Sequence, residues 1–217
     1  MEFNDASTDI KLFDDLNLTV ESGSSVAIVG ASGVGKTTLL YILGGLEFPS
    51  AGDVLIGDKS FLELRKDRKA FSTFRGSNIG FVFQFHQLLP EFSALENVAM
   101  PLLIQDRSKD EAYARAEKLL DRVGLSQRLS HRPGMLSGGE QQRVAVARAF
   151  MGKPGVVLAD EPTGNLDQHN GDQVTSLLKE FQDEDGITLV IVTHSLELAM
   201  QMDTLLELKP DGIQKRM

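Results

Sequence analysis

The stretch Gly30-Ala31-Ser32-Gly33-Val34-Gly35-Lys36-Thr37 decides the fold of this chain. It has the pattern G-x-x-x-x-G-K-[ST], in which glycines let the backbone approach a phosphate and expose several N–H donors to it. Residues 26–29 precede it as a continuous apolar run, typical of a parallel strand covered on both faces, and residues 38–43 continue it as a helix. Strand, glycine loop and helix together predict a phosphate-binding loop rather than a chance glycine-rich turn.

Polar side chains at the end of the glycine loop and at the end of a later strand have distinct predicted roles. We expect Lys36 to reach the β and γ oxygens of a nucleotide, and the Thr37 hydroxyl to ligate Mg²⁺. The apolar run at residues 156–159 ends in Asp160 and Glu161. A carboxylate at the carboxyl end of a parallel strand is where a second Mg²⁺ contact belongs, so Asp160 is the predicted metal ligand. Glu161 is the predicted group that polarises the attacking water; the alternative is that both are solvated charges closing a strand.

A second glycine motif, Leu136-Ser137-Gly138-Gly139-Glu140-Gln141, follows later in the chain. Ser137 and Glu140 have the spacing of a capping box, which alone would mark no more than a helix start. The glycines leave the first N–H groups of that helix bare, so its start is a candidate phosphate site. Two such sites exceed what one triphosphate needs in one small domain, which suggests that ATP is held between two copies of the chain.

The composition narrows the function classes. The chain has 217 residues, of which 41% are hydrophobic and 24% charged, as in ordinary globular domains. Its net charge of −9 argues against nucleic acid as a partner, and we expect contact with a membrane only through partner proteins. The acidic first residues are not those of a secretory signal, and the lack of Cys excludes thiolate metal sites and agrees with the cytosol.

The hydrophobic pattern predicts a single domain over residues 1–217 with a helical insertion. Alternating or fully apolar runs predict strands at residues 16–20, 26–29, 53–56, 79–83, 156–159 and 188–192. From residue 85 to 143 the pattern is mainly helical, and Pro101 is expected to kink or end the first of these helices. We therefore expect an α/β nucleotide-binding core formed by residues 1–84 and 144–217, with a helical subdomain at 85–143 that carries the second glycine motif.

Together these motifs resemble the ATP-binding subunits of ABC transporters. The matching set, in that family's order and spacing, is residues 30–37, Gln84, residues 136–143, residues 158–163, Gly164-Asn165-Leu166-Asp167 and His194. The resemblance covers essentially the whole chain. It implies a P-loop NTPase core with a mixed sheet, an antiparallel β part and an inserted α-helical subdomain. It also implies ATP and Mg²⁺ as cofactors, and ATP hydrolysis coupled to transport as the activity.

The resemblance assigns further roles. In such proteins two subunits face each other head to tail, and each ATP lies between one phosphate loop and the partner's signature helix. That assigns Ser137 and Gly139 to the γ-phosphate bound by the other copy. Gln84 would contact Mg²⁺ and the attacking water, His194 would contact the γ-phosphate, and Asp167 would couple the two sites. The remaining nucleotide contacts implied are Gly30, Ser32, Gly33, Gly35 and Thr38, with Phe3 against the adenine.

Within that family, residues 83–102 are similar to the ATP-binding subunit of bacterial lipoprotein-releasing systems. Residues 159–167 are shared more widely, with macrolide-exporter and cell-division cassettes. The likeness implies a homodimer on ATP binding, transmembrane permease subunits as partners, and a peripheral place on the cytoplasmic side of the bacterial inner membrane. The alternatives are an exporter ATPase, a cell-wall regulator, a DNA-maintenance ATPase or a small-molecule kinase. The apolar residues Phe85, Leu88, Leu89 and Phe92 are either core or a groove for a cytoplasmic helix of the membrane partner.

Overall fold

The computed structural model describes residues 2–5, 8–12 and 15–216, with the backbone alone for residues 2–5 and 8–11. Its strands are β1 (Glu2–Asp5), β2 (Thr8–Lys11), β3 (Ser25–Val29), β4 (Leu55–Ile56), β5 (Lys59–Ser60), β6 (Ile79–Val82), β7 (Val156–Asp160), β8 (Thr188–Val192), β9 (Thr204–Lys209) and β10 (Gly212–Lys215). Its α-helices are α1 (Lys36–Leu43), α2 (Phe61–Leu64), α3 (Arg68–Asn78), α4 (Ala94–Ile104), α5 (Lys109–Arg122), α6 (Gly138–Ala149), α7 (Gln168–Asp185) and α8 (Leu196–Ala199). Two 3₁₀ turns, Ser126–Arg128 and Pro133–Met135, lie between α5 and α6.

A six-stranded mixed sheet forms the centre of the fold. Its order is β10-β9-β3-β8-β7-β6, and its neighbours pair parallel except for the antiparallel pair of β9 and β10. Two separate antiparallel ribbons are formed by β1 with β2 and by β4 with β5. The carboxyl ends of β3, β8 and β7 lie side by side, and ligand sites of parallel sheets form at that edge.

The central strands contribute to two hydrophobic cores, one on each face of the sheet. Ala27 and Val29 pack with side chains of α4 to α8, and the alternate residues Val26 and Ile28 pack with α1, α2 and α3. Every residue of β3 and β8 is buried, as the continuous apolar runs in the sequence predict. The sheet is therefore a rigid base for the polar loops at its carboxyl edge.

Three helices fill the chain between β6 and β7. Among them, α4 and α6 begin with complete capping boxes, at Ser93 with Glu96 and at Ser137 with Glu140. The predicted subdomain boundary at residue 143 falls inside α6. The division of the chain into a core and a helical subdomain at residues 84 and 143 stays a prediction. The helix packs closely on the sheet, because a Cβ added at Gly80 of β6 would lie 2.4 Å from the Ala149 carbonyl oxygen.

Some local predictions are wrong. Residues 16–20 form no strand, although Leu16, Leu18 and Val20 are partly buried against the core. Alternation reports which side chains are buried, but a strand also needs a neighbour to accept and donate its backbone hydrogen bonds. Pro101 does not end α4, which continues to Ile104, while the alternative expectation of a kink at Pro101 stays a prediction. The strand predicted at residues 53–56 is reduced to β4.

The contact between β6 and α6 generates a stability prediction. Replacing Gly80 with Ala places a methyl group against a backbone oxygen that cannot rotate away, so we expect a loss of about 1–3 kcal/mol in the free energy of unfolding. Gly155→Ala is the matched control, because nothing lies within 4 Å of an added Cβ there. Urea unfolding of both variants checks the difference, and equal stabilities would contradict the close packing.

Candidate functional site

The glycine loop connects β3 to α1 along a path that its glycines allow. Gly35, directly before α1, has a φ of 100°, a left-handed conformation that residues with a Cβ rarely adopt. A Cβ on Gly30 would lie 2.6 Å from the Leu208 carbonyl oxygen of the neighbouring strand β9. Gly33 and Ser32 lie at the exposed turn of the loop. The sequence pattern is thus explained by backbone geometry before any ligand is considered.

Lys36 lies against this loop. Its ammonium nitrogen donates to the carbonyl oxygens of Gly30 at 2.9 Å and Ala31 at 3.1 Å. The first N–H groups of α1, around Thr37 and the half-buried Thr38, have no partner within the helix. Free N–H groups at a helix start and a lysine point charge together make an anion site suited to phosphate oxygens.

Thr37 and Asp160 meet across the site. The Thr37 hydroxyl donates to Oδ1 of Asp160 at 3.1 Å, which joins the start of α1 to the end of β7. Burial raises the pKa of the Asp160 carboxyl above its usual range, and the Glu161 carboxylate acts in the same direction, against the Thr37 hydrogen bond and the Lys36 charge. A hydroxyl and a carboxylate are hard oxygen ligands, and Mg²⁺ binds through one or two of them plus substrate phosphates. The donor set therefore fits Mg²⁺.

Glu161 is held in an unusual backbone conformation. Its φ of 44° is left-handed, a strained state for a residue with a side chain, and its N–H donates to the Val192 carbonyl oxygen at 2.9 Å. One carboxylate oxygen, Oε2, accepts from the Thr193 hydroxyl at 2.9 Å, and from the N–H and Nδ1 of His194 at 3.1 and 2.9 Å. The other oxygen is free of these three contacts. His194 is 69% exposed at its side chain, so its ring is open to a ligand.

Gln84 and Asp167 lie near the segment that follows Glu161. The Gln84 amide nitrogen donates to Oδ1 of Asn165 at 3.4 Å, and Asn165 donates back to the Gln84 carbonyl oxygen at 3.1 Å. Asp167 caps α7, because its carboxylate accepts from the N–H and the side-chain amide of Asn170 at 2.9 and 2.7 Å. These hydrogen bonds, the backbone one first, lower the pKa of the exposed Asp167 carboxyl.

The second glycine motif forms the start of α6. Ser137 is exposed and caps the helix, while Glu140 accepts from the Ser137 N–H at 2.8 Å and from Arg128 at 2.8 Å. Gly139 is buried, and a Cβ there would lie 2.2 Å from Oδ1 of Asn170 on α7. A side chain at position 139 would therefore displace the Asn170 side chain from its present position. Among the described residues, no hydrogen bond joins this motif to the loop at residues 30–37.

The structure adds polar residues that sequence reasoning missed. Gln142 of α6 is 1% exposed, and its amide nitrogen donates to the Pro162 carbonyl oxygen at 2.7 Å and to that of Phe83 at 3.4 Å. It thus connects α6 to the segments around Glu161 and Gln84. A glutamine among apolar helix residues is the signal in the sequence, but its partners are distant in the chain. The predicted adenine contact, Phe3, lies in β1, where side chains are outside the described part.

A groove of about 1040 Å³ lies between α3, β6 and α4. Leu89 and the 74% exposed Ile104 are among the apolar residues that line it, and its basic residues Lys69, Arg75, Arg107 and Arg148 outnumber the acidic Asp106. Of the apolar cluster in the sequence, Leu89 alone lines this groove. Leu88 packs against the core, whereas Phe85 and Phe92 are exposed outside the groove and fit neither interpretation.

Comparisons with known proteins give one consistent family. The model of the ABC transporter family matches residues 13–164. The lipoprotein-releasing system ATP-binding protein LolD of Idiomarina loihiensis is 51% identical over 213 residues, covering 98% of this chain and 92% of that protein. LolD of Acinetobacter baylyi is 49% identical over 212 residues, covering 97% of this chain and 92% of that protein.

None of the helices described here combines the length and the apolar character needed to cross a bilayer.

Solved structures give the same result for the fold. The dimeric structure of MJ0796, described as a bacterial ABC transporter cassette, is 38% identical with a TM-score of 0.90, covering 99% of this chain and 94% of that one. A dimeric post-hydrolysis state of MJ0796 bound to ADP and Pi is 37% identical, with the same TM-score and coverage. The predicted fold, a P-loop core with a mixed sheet, antiparallel strands and a helical insertion, is confirmed.

The Glu140–Arg128 contact generates a prediction about pH. The Arg128 hydrogen bond, followed by that of the Ser137 N–H, lowers the pKa of Glu140 from 4.5 to about 2. Because the folded chain favours the ionised carboxylate, Glu140 contributes its full stabilisation to the free energy of unfolding above about pH 4.5. This stabilisation is lost as the pH falls toward 2. Glu140→Gln should therefore lower the free energy of unfolding at pH 7 by about 1–2 kcal/mol, with a difference from the parent that shrinks below pH 4.5.

Urea unfolding at several pH values measures this difference. Glu96→Gln is the matched control, because Glu96 forms the same capping box with Ser93 but has no hydrogen bond from an arginine. The control should lose less stability at pH 7. Equal losses, or a Glu140→Gln difference that persists unchanged at pH 3, would contradict the assigned contact.

Proposed function

The chain belongs to the ABC transporter family and is an ATPase of that family, and we propose that it powers lipoprotein release from the inner membrane of a bacterium. The observation that carries the proposal is the extent of the likeness to proteins named for that system, 51% identity over 98% of the chain. The proposed location is the cytoplasmic side of the inner membrane, with attachment through membrane-spanning partner subunits.

In the proposed mechanism the phosphate groups of ATP bind at the start of α1. Lys36 and the N–H groups of the loop hold the β and γ oxygens, because they present positive charge and free donors at one place. Thr37 and Asp160 would hold Mg²⁺, which when bound neutralises charge on the phosphates. The strain-free approach of the backbone to the phosphates depends on Gly30, Gly33 and Gly35.

Glu161 is the proposed group that orients and polarises the attacking water. Three donors fix its Oε2 oxygen, so the other oxygen has a defined direction for accepting a proton or a hydrogen bond from water. His194 shares that carboxylate and keeps an exposed ring, which is consistent with a contact to the γ-phosphate. Gln84 is the proposed second contact to the water and the metal, and its bond to Asn165 ties it to the segment after Glu161.

A second copy of the chain is proposed to complete the site. Ser137 is exposed at the start of α6, where the first N–H groups form an anion site. Because no described hydrogen bond joins this motif to the loop of its own chain, we assign Ser137 and Gly139 to the nucleotide of the partner copy. Asp167 caps α7 and would then transmit the state of one nucleotide site to the other.

The groove between α3, β6 and α4 is the proposed docking site for a cytoplasmic helix of the membrane partner. Its lining combines exposed apolar side chains such as Leu89 and Ile104 with more basic than acidic residues, which suits an amphipathic helix with acidic residues. Helix-in-groove contacts of this kind bury apolar side chains at regular spacing, and the groove is large enough for one or two turns of helix.

The test of this function is reconstitution of the chain with the membrane proteins that co-purify with it. Vesicles that carry the complex and a lipid-anchored protein should release that protein when MgATP is added, and should not do so with ADP. Release of a small amphiphile in place of the lipid-anchored protein would indicate an exporter instead. ATP hydrolysis without release of the lipid-anchored protein would contradict the proposed cargo.

Ile104→Glu provides the groove arm of that experiment. A charge at this exposed apolar position of the groove should reduce co-purification of the membrane subunits about tenfold or more, since it must lose its water on docking. ATP binding by the isolated variant should stay at the parent level. Leu55→Glu is the matched control, because Leu55 is a comparably exposed apolar residue in β4, outside the groove. Equal recovery of the membrane subunits with both variants would contradict docking at this groove.

Glu161→Gln tests the hydrolysis site. The amide keeps the shape of the side chain but cannot accept a proton, so ATP should still bind while turnover falls by about 100-fold or more. The variant should also accumulate as a closed dimer with MgATP, which light scattering measures. Glu117→Gln on the exposed face of α5 is the control and should hydrolyse ATP and reopen like the parent. A Glu161→Gln protein with parental turnover would contradict the assignment of Glu161.

A further inference from the structure

We propose that Arg148 is a positioning residue for ATP hydrolysis, which holds the loop that follows Gln84 against the end of helix α6. The proposal rests on the function proposed above for Gln84, since it states what keeps that residue in place. Arg148 lies in the last turn of α6, in the wall of the groove and outside the motifs that the sequence identified.

The contact itself is bidentate. One terminal nitrogen of Arg148 donates to the Gln87 carbonyl oxygen at 2.5 Å, and the other donates to the His86 carbonyl oxygen at 2.6 Å. A guanidinium presents these two donors in a fixed planar fork, which a lysine ammonium does not reproduce. Two consecutive carbonyl groups of the loop are therefore oriented by a single side chain.

The loop conformation explains why such a support is needed. His86 and Gln87 both have a φ of 51°, and two successive left-handed residues with side chains are strained. Such a conformation persists when surrounding contacts fix it, and the Arg148 fork binds both of the residues concerned. Burial lowers the pKa of Arg148 to about 10, and no carboxylate pairs with it among residues 15–216. The loop carbonyls are thus its described partners.

The same helix also contacts the chain just before Gln84. Gln142, less than two turns before Arg148, donates to the Phe83 carbonyl oxygen at 3.4 Å and to that of Pro162 at 2.7 Å. Helix α6 therefore holds both sides of Gln84, through Phe83 and through the loop at 86–87. Since Ser137 caps α6 and the helix begins at Gly138, a movement of the second glycine motif would be transmitted to Gln84 along one helix.

Arg115 offers a matched comparison for the experiment. It too donates to two consecutive carbonyl oxygens, those of Met151 at 2.8 Å and Phe150 at 3.0 Å, just beyond the end of α6. Its pKa is likewise lowered by burial. It has no contact with the loop that follows Gln84. Arg115→Lys and Arg148→Lys therefore make the same chemical change in the same kind of contact, on different sides of one helix end.

The experiment measures steady-state ATP hydrolysis, nucleotide affinity and backbone hydrogen exchange of the full chain. Arg148→Lys should lower kcat by about 10- to 100-fold, the usual cost of losing a group that orients a site residue, with the affinity for ATP changed less than about threefold. Amide exchange in residues 85–89 should become faster. Arg115→Lys should leave kcat and exchange in that loop at the parent level, although it lowers the melting temperature.

A double-mutant cycle separates positioning from a purely structural effect. If Arg148 acts through Gln84, then Arg148→Lys should lower kcat by less than about twofold in a Gln84→Ala background. A double variant whose loss in kcat equals the product of the two single losses would overturn the proposal. So would an Arg148→Lys variant with unchanged kcat or with unchanged amide exchange in residues 85–89. A Gln84→Ala variant with the kcat of the parent would instead contradict the role proposed for Gln84, so the two failures are distinguishable.

Discussion

The site depends on the parallel register of three neighbouring strands. β3 pairs with β8 so that Ile28 lies opposite Val192, and β7 pairs with β8 so that Asp160 lies opposite the same residue. The glycine loop and the Asp160–Glu161 pair therefore leave the sheet at one level. Because a slip by one residue turns every side chain to the opposite face, the two buried cores specify this register in addition to the hydrogen bonds.

Backbone strain is found next to the proposed catalytic groups and is compensated by polar contacts. Glu161 and the pair His86–Gln87 adopt left-handed conformations, each at a cost of about 1–3 kcal/mol. Hydrogen bonds from Thr193 and His194 fix the first, and those from Arg148 fix the second. Both conformations are held from beneath by the buried strands β3 and β8 and by the buried face of α6. This arrangement gives the carboxylate and the loop after Gln84 a defined direction.

The sequence predicted the parts of the site that are encoded locally. The glycine loop, the Asp160–Glu161 strand end and both capping boxes depend on residues within a few positions of each other. The strand at residues 188–192 was predicted with its exact bounds. The strand predicted at 16–20 failed because pairing depends on a distant neighbour. The contacts of Gln142, Arg148 and Asn170 could not be predicted, since their partners lie 20 or more positions away in most cases.

Helix α6 has the properties of a rigid connector. Its start is fixed by the Ser137–Glu140 box and Arg128, and the backbone just past its end by Arg115. Most of its residues are buried between β6, α4, α5 and α7. With a rise of about 1.5 Å per residue, Ser137 and Arg148 lie about 16 Å apart along the axis. A packed helix resists bending, so displacement at its start is expected to move the whole element rather than be absorbed along it. If the start of α6 binds the nucleotide of a partner copy, as proposed, its displacement would reach Gln84 at the other nucleotide as a movement of the whole helix. Such a connection would allow the two nucleotide sites to close together.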